Sequence, residues 1–133
     1  MFLLAAGRQF AVAPSAQAAA TIWDGIYSDS QAKKGEMVYA DFCAPCHGET
    51  PTGGPMAPGL AGDDFLADVV NTTIGDLADR IRQTMPANEP GKLNPQQVAD
   101  VVAFIASANK WPAGTKDVPT DLAAQKQIRI VKK

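Results

Sequence analysis

The chain has 133 residues, room for one domain and not two, and it is long enough to bury a real core. Twelve Lys and Arg stand against fourteen Asp and Glu, a near balance that leaves no footprint for nucleic acid. Two cysteines and a single histidine fall short of the four Cys or His ligands that a structural zinc site takes.

Residues 1–18 read as an export signal. Apolar patches from Phe2 to Ala6 and from Phe10 to Ala13 precede Ala16-Gln17-Ala18, an A-x-A cleavage pattern, although Arg8 interrupts the apolar run and no positive segment comes before it. The stretch is too short to span a bilayer. The expectation is a periplasmic bacterial protein whose mature chain has no membrane span.

After an entry segment, Thr21 to Tyr27, Ser28 and Gln31 have the spacing of a capping box and open a first helix. Gly35, Val38, Tyr39 and Phe42 then fall at i, i+3, i+4 and i+7, one apolar stripe. A glycine on that stripe costs helix stability, which makes sense only where a second backbone comes close.

The stripe runs into Cys43-Ala44-Pro45-Cys46-His47. Two cysteines separated by two residues, with a histidine directly after the second, form the attachment signature of a c-type haem. Each thiol adds across one vinyl group of the porphyrin and the histidine ligates the iron, so one short stretch holds the cofactor by three bonds. A thioredoxin-like dithiol has the same cysteine spacing but wants a βαβ surround, and no strand-like run precedes Cys43. A disulfide across two residues closes a very small loop and stabilises little. Haem of this type is attached outside the bacterial cytoplasm, in agreement with the export signal.

From Pro51 to Gly62 the chain is rich in Gly and Pro and cannot be helical. It is predicted to cover one haem edge, with the Pro58 carbonyl as candidate acceptor for the second ring N–H of His47, an arrangement that fixes the tautomer and raises ligand basicity. An ordinary surface loop is the alternative. A short helix follows from Asp63 or Asp64, with Phe65, Leu66, Val69 and Val70 as its apolar face. Another, capped by Thr73, puts Ile74, Leu77, Ala78 and Ile81 on one stripe. Asp76 with Arg80, and Asp79 with Arg82, are spaced to pair on its solvated face.

Met85 is the next position on that stripe, and Pro86 disfavours helical geometry there, so the thioether can turn off the helix end. A haem with one histidine ligand needs a partner and the chain has no second histidine, which makes Met85 the candidate sixth ligand. Against it stands the commoner use of methionine as core filler. Met56 is the rival, in the loop assigned to the proximal side; Met37 lies on the first helix with no route to the distal face.

Asn94-Pro95-Gln96-Gln97 opens the last strong helix, with Asn94 as N-cap, Pro95 at the first helical position and Gln97 completing a capping box. Val98, Val101, Val102 and Ile105 repeat the helical stripe with Phe104 beside them, and a crossing with the first helix at Gly35 and Phe104 is predicted. Past Asn109 the pattern breaks at Trp111, Pro112, Gly114 and Pro119. Asp121 to Ile128 suits one more short helix, and Lys126, Arg129, Lys132 and Lys133 make a basic end. A wrapper over the haem domain, a docking arm for an acidic partner and a frayed terminus all fit this tail. No coherent strand alternation is present.

With these parts in this order, the chain from Ser28 to Asn109 resembles class I cytochromes c. The resemblance implies an all-α, cytochrome c-like helical bundle around one covalently attached haem c, with crossed N- and C-terminal helices. Residues 19–109 would form the cytochrome domain and residues 110–133 a C-terminal extension. It further implies thioether bonds from Cys43 and Cys46, axial iron ligands His47 and Met85, and a Pro58 carbonyl supporting His47. The stretch from Trp23-Asp24-Gly25 to the Cys-x-x-Cys-His motif and the run Thr84-Met85-Pro86-Ala87-Asn88-Glu89-Pro90-Gly91 look like cytochromes that accompany quinoprotein, PQQ-dependent, dehydrogenases.

Two filled axial sites imply a one-electron carrier, not an enzyme, taking electrons from a dehydrogenase donor and passing them to an oxidase or another cytochrome. A haem protein with an open sixth site, peroxidase-like or gas-binding, is a second class; its distal acid–base group is missing, because the only histidine is spent on the iron. A fixed cytochrome subunit of a dehydrogenase or respiratory complex is the third.

Overall fold

A computed structural model describes Gly7 and residues 20–133. The export signal and its cleavage pattern lie outside the described residues. Two short strands and six helices make up the rest: β1 (Ala20–Thr21), α1 (Asp29–Phe42), α2 (Ala44–His47), α3 (Asp63–Val69), α4 (Ile74–Thr84), α5 (Pro95–Ala108), α6 (Leu122–Gln125) and β2 (Ile128–Arg129). None of the described helices is long and apolar enough to cross a membrane. The architecture is all-α and cytochrome c-like, as the resemblance implies, and the helices carry the stripes read from the sequence.

α1 and α5 form the central pair. Their contact is backbone against side-chain root at Gly35: a Cβ there would sit inside the Asp100 carbonyl oxygen and 2.9 Å from the Phe104 Cβ. One turn further along α1, Tyr39 meets Phe104 with ring centroids 5.1 Å apart and planes tilted by 49°. Val98, Val101, Val102 and Ile105 are all buried, each worth about 1.5–3 kcal/mol over an exposed position. The α5 capping box forms in both directions, Gln97 N–H to Asn94 Oδ1 at 2.8 Å and Asn94 N–H to Gln97 Oε1 at 3.0 Å. α4 buries Ile74, Leu77, Ala78 and Ile81 and packs on α5 and α6.

Three local expectations are corrected. Ser28 does cap α1, accepting from the Gln31 N–H at 3.1 Å, but Gln31 does not return the bond. Its amide is buried and clamps the tail instead, Oε1 accepting from Val118 N–H at 2.6 Å and Nε2 donating to Val118 O at 3.1 Å. Asp76 does not pair with Arg80, because it is used in the Thr73 capping box and Arg80 reaches Asp68 at 3.2 Å. The pair Asp79–Arg82 forms as spaced, at 2.9 Å. Finally, helix α3 stops at Val69, so Val70 is its C-cap and not part of its apolar face.

The residues past Asn109 are packed, not frayed. Trp111, Val118, Ile128 and Ile130 join the same core as α1 and α5. α5 ends in a Schellman turn, with Lys110 at φ 61° and the Trp111 N–H bonded to Ala106 O at 3.0 Å. The Trp111 carbonyl then accepts from the Tyr27 hydroxyl at 2.6 Å. The predicted helix from Asp121 to Ile128 shortens to Leu122–Gln125, and Ile128 and Arg129 pair in parallel with Ala20 and Thr21. Strands of two residues carry no alternation by which a sequence could announce them.

Substitution Gly35→Ala is expected to destabilise the fold by about 1–3 kcal/mol, since the Asp100 backbone must move to admit the methyl group. A lower urea midpoint at unchanged slope reads this out; an unmoved midpoint contradicts the crossing. Gln31→Ala strands two buried backbone groups of Val118 at about 1–3 kcal/mol for each. Limited proteolysis should then cut the chain beyond Trp111 before any site in α1 or α5, and equal rates at all sites would show that Gln31 does not hold the tail.

Candidate functional site

The site grows from the C-terminal end of α1. Cys43 is at once the last cap of α1, its N–H bonded to Tyr39 O at 2.9 Å, and the first residue of the turn into α2. Its carbonyl accepts from the His47 N–H at 2.9 Å, so a single helical turn with Pro45 near its start carries both cysteines and the histidine. Both thiols are free and half-buried, and His47 is buried. Burial, and then the neighbouring Cys46, push the Cys43 thiol up to about 11.

The Gly-Pro loop lies against this turn. A side chain at Gly54 would collide with the Cys46 carbonyl, so the loop backbone touches the motif backbone directly. The loop closes on itself through Gly54 N–H to Ala57 O at 3.1 Å and Leu60 N–H to Pro51 O at 2.9 Å. At its start, the Tyr39 hydroxyl donates to Gly48 O at 2.7 Å. Burial, and then Cys43, raise the Tyr39 phenol above its ordinary value, so it stays a donor.

The Pro58 carbonyl lies 2.7 Å from His47 Nδ1. A carbonyl can only accept, so Nδ1 carries the proton and the lone pair of the neutral ring is on Nε2. Of the methionines among the described residues, Met85 alone packs against the core, at the end of α4 with an extended backbone (φ −120°, ψ 147°). Met56 and Met37 are 78% and 70% exposed. Phe42, Cys43, Leu60, Leu66 and Met85 are half-buried and pack on the edge of the core. Among the described residues no cluster of three or more His, Cys, Asp or Glu is arranged to hold a bare metal ion. Two thiols and one imidazole nitrogen carried on a single turn fit an apolar, iron-bearing macrocycle.

Residues 30–105 match the family described as cytochrome C oxidase, cbb3-type, subunit III. The chain belongs to this cytochrome c family. Its cofactor is covalent haem c, and the Cys-x-x-Cys-His motif at 43–47 is the feature of the chain that accords with it. The chain is 34% identical over 108 residues to the cbb3-type cytochrome c oxidase subunit FixP of Rhizobium etli, an alignment covering 71% of this chain and 34% of that protein. It is 33% identical over 130 residues to the gluconate 2-dehydrogenase cytochrome c subunit of Pantoea cypripedii, covering 86% of this chain and 28% of that one. The cytochrome thus spans about a third of the length of these curated relatives. Its fold is similar to a chain in the crystal structure of the sulfane dehydrogenase SoxCD from Paracoccus pantotrophus, with a TM-score of 0.55 and 23% identity over 96% of this chain and 68% of that one.

One residue of the site was not singled out by the sequence pattern. Asn109, the C-cap of α5, donates through Nδ2 to Leu60 O at 2.9 Å and accepts through Oδ1 from Gly62 N–H at 3.1 Å. The only signal in the sequence was an asparagine at the end of an apolar stripe, which reads as a stop and names no partner.

In haem-free protein, alkylation of Cys43 should be slow at pH 9 and climb as the pH rises through about 11, whereas the urea-unfolded chain reacts readily at pH 9, near the ordinary thiol value of 9.0. Mass spectrometry of the labelled peptide follows it. Equal folded and unfolded rates at pH 9 would mean that burial does not hold the proton on this thiol.

Proposed function

We propose that this cytochrome is a periplasmic one-electron carrier in which Cys43 and Cys46 hold the haem by thioether bonds and His47 and Met85 are the axial ligands. The bound haem supplies a single iron that alternates between ferrous and ferric states. The observation that carries the reading is the buried His47 with its Nδ1 proton committed to Pro58 O at 2.7 Å. That bond presents Nε2 as the ligating atom, orients the ring and makes it a stronger donor. Met85 contributes a soft sulfur from a helix end, a ligand type that raises the reduction potential. With His47 and Met85 both holding the iron, no substrate would reach the metal, and the work left to the protein would be burial of the cofactor and recognition of partners.

Those partners are redox proteins: a dehydrogenase, PQQ-dependent on the strength of the sequence resemblance, as donor, and an oxidase or second cytochrome as acceptor. Both curated relatives are named as subunits, which favours a second form of the same reading, a cytochrome module fixed within an oxidoreductase complex. Co-purification separates a fixed module from a diffusing shuttle.

The reduced protein, matured with haem-attachment machinery, should show a low-spin c-type spectrum that carbon monoxide leaves unchanged. Met85→Ala should open the site to carbon monoxide and lower the potential by a substantial fraction of the ~0.8 V over which axial ligands tune haem. Ready carbon monoxide binding by the unaltered protein sinks the closed-site reading in favour of a ligand-binding or enzymatic one.

A further inference from the structure

We infer that Asn109 is a positioning residue for His47, acting through the loop that supplies the Pro58 carbonyl; the inference rests on the reading of His47 as an iron ligand. The loop's internal bonds, Gly54 to Ala57 and Leu60 to Pro51, close it on itself but do not set where it stands relative to the histidine. Tyr39 pins its beginning at Gly48 O. Asn109 pins its end, and uses its whole amide to do so: one Nδ2 proton goes to Leu60 O at 2.9 Å, the other to Ile105 O in its own helix at 2.9 Å, and Oδ1 takes the Gly62 N–H at 3.1 Å. Two carbonyls on one side and an N–H on the other leave only this orientation of the amide.

Leu60 is two residues from Pro58, with Gly59 between them. Anchoring the Leu60 carbonyl to the end of α5 therefore limits how far the Pro58 carbonyl can swing from His47 Nδ1. A strong bond at Nδ1 makes the ring more electron-rich and favours ferric iron. Loosening the anchor weakens that bond and shifts the balance toward ferrous.

The test uses haem-loaded protein: unaltered, Asn109→Ala, and Thr73→Ala, the last removing an α4 cap whose side chain bonds to Asp76 and not to the loop. Asn109→Ala should speed solvent exchange of the His47 Nδ1 proton about tenfold, the effect of losing roughly one to two side-chain hydrogen bonds. It should also raise the ferrous-to-ferric ratio several-fold at a fixed applied potential. Thr73→Ala should lower the melting temperature and leave both quantities alone. Unchanged exchange and ratio in Asn109→Ala, or equal changes in Thr73→Ala, overturn the assignment. If Asn109→Ala does not mature, Asn109→Ser is read in the same way. Should the ferric unaltered protein lack the strongly shifted ring resonances of an iron-bound imidazole, His47 ligation is what fails, and the exchange rates still decide whether Asn109 holds the loop.

Discussion

Everything in the site hangs on the close approach of α1 and α5 at Gly35. Gly35, Tyr39 and Cys43 are spaced by four along α1 and form one ridge. The first admits the Asp100 backbone, the second packs tilted on Phe104 and bonds Gly48, and the third begins the haem-attachment turn. On the other helix Asp100 and Phe104 are likewise four apart, and Asn109, five residues further on at the C-cap, holds the far end of the Gly-Pro loop. One crossing thereby sets both ends of the loop that faces His47. Widening it by the size of a methyl group displaces the two anchors relative to each other.

The tail obeys a second constraint. The irregular backbone at the buried Val118 can lie against the core only if its polar groups find partners. Buried glutamines supply them: Gln31 takes both backbone groups of Val118, and Gln125 donates to Pro119 O at 2.6 Å. Gln31 also lies 3.4 Å from the buried Asp100 carboxylate, which Gln96 satisfies at 2.8 Å. Among the described residues no buried side-chain nitrogen or oxygen is left without a partner. The tail is thus joined to the α1–α5 pair at the very residue whose carbonyl meets Gly35.

This division explains what could be read from the sequence. Stripes on α1, α4 and α5, the caps at Ser28, Thr73 and Asn94, and the reason for a glycine at 35 are all local patterns, and local patterns survive folding when a helix has one buried face. Gln31 and Arg80 were assigned their nearest partners by spacing, but their actual partners are Val118 and Asp68. Spacing rules carry no information about contacts across 87 residues. Asn109 is the same case at the site itself, a cap by position whose amide spans from α5 to the loop. The short strands were invisible for a different reason, being too brief to show a period.

The two sides of the proposed haem site are built unequally. His47 is buried, sits in a turn bonded back to Cys43, and faces a loop pinned at both ends and pressed onto the motif at Gly54. Met85 has the last N–H bond of α4 to Ile81 O at 2.9 Å and then enters a segment exposed from Ala87 to Lys92. That segment is tied back by the buried Leu93 and by Lys92, whose ammonium lies 5.5 Å over the Phe42 ring, a contact worth about 0.5–1 kcal/mol at an exposed site. In the proposed ligation, the histidine would be held by backbone bonded on several sides and the methionine by a segment with fewer ties. It is then the histidine side, through the Pro58 carbonyl, that would set the electron density at the iron.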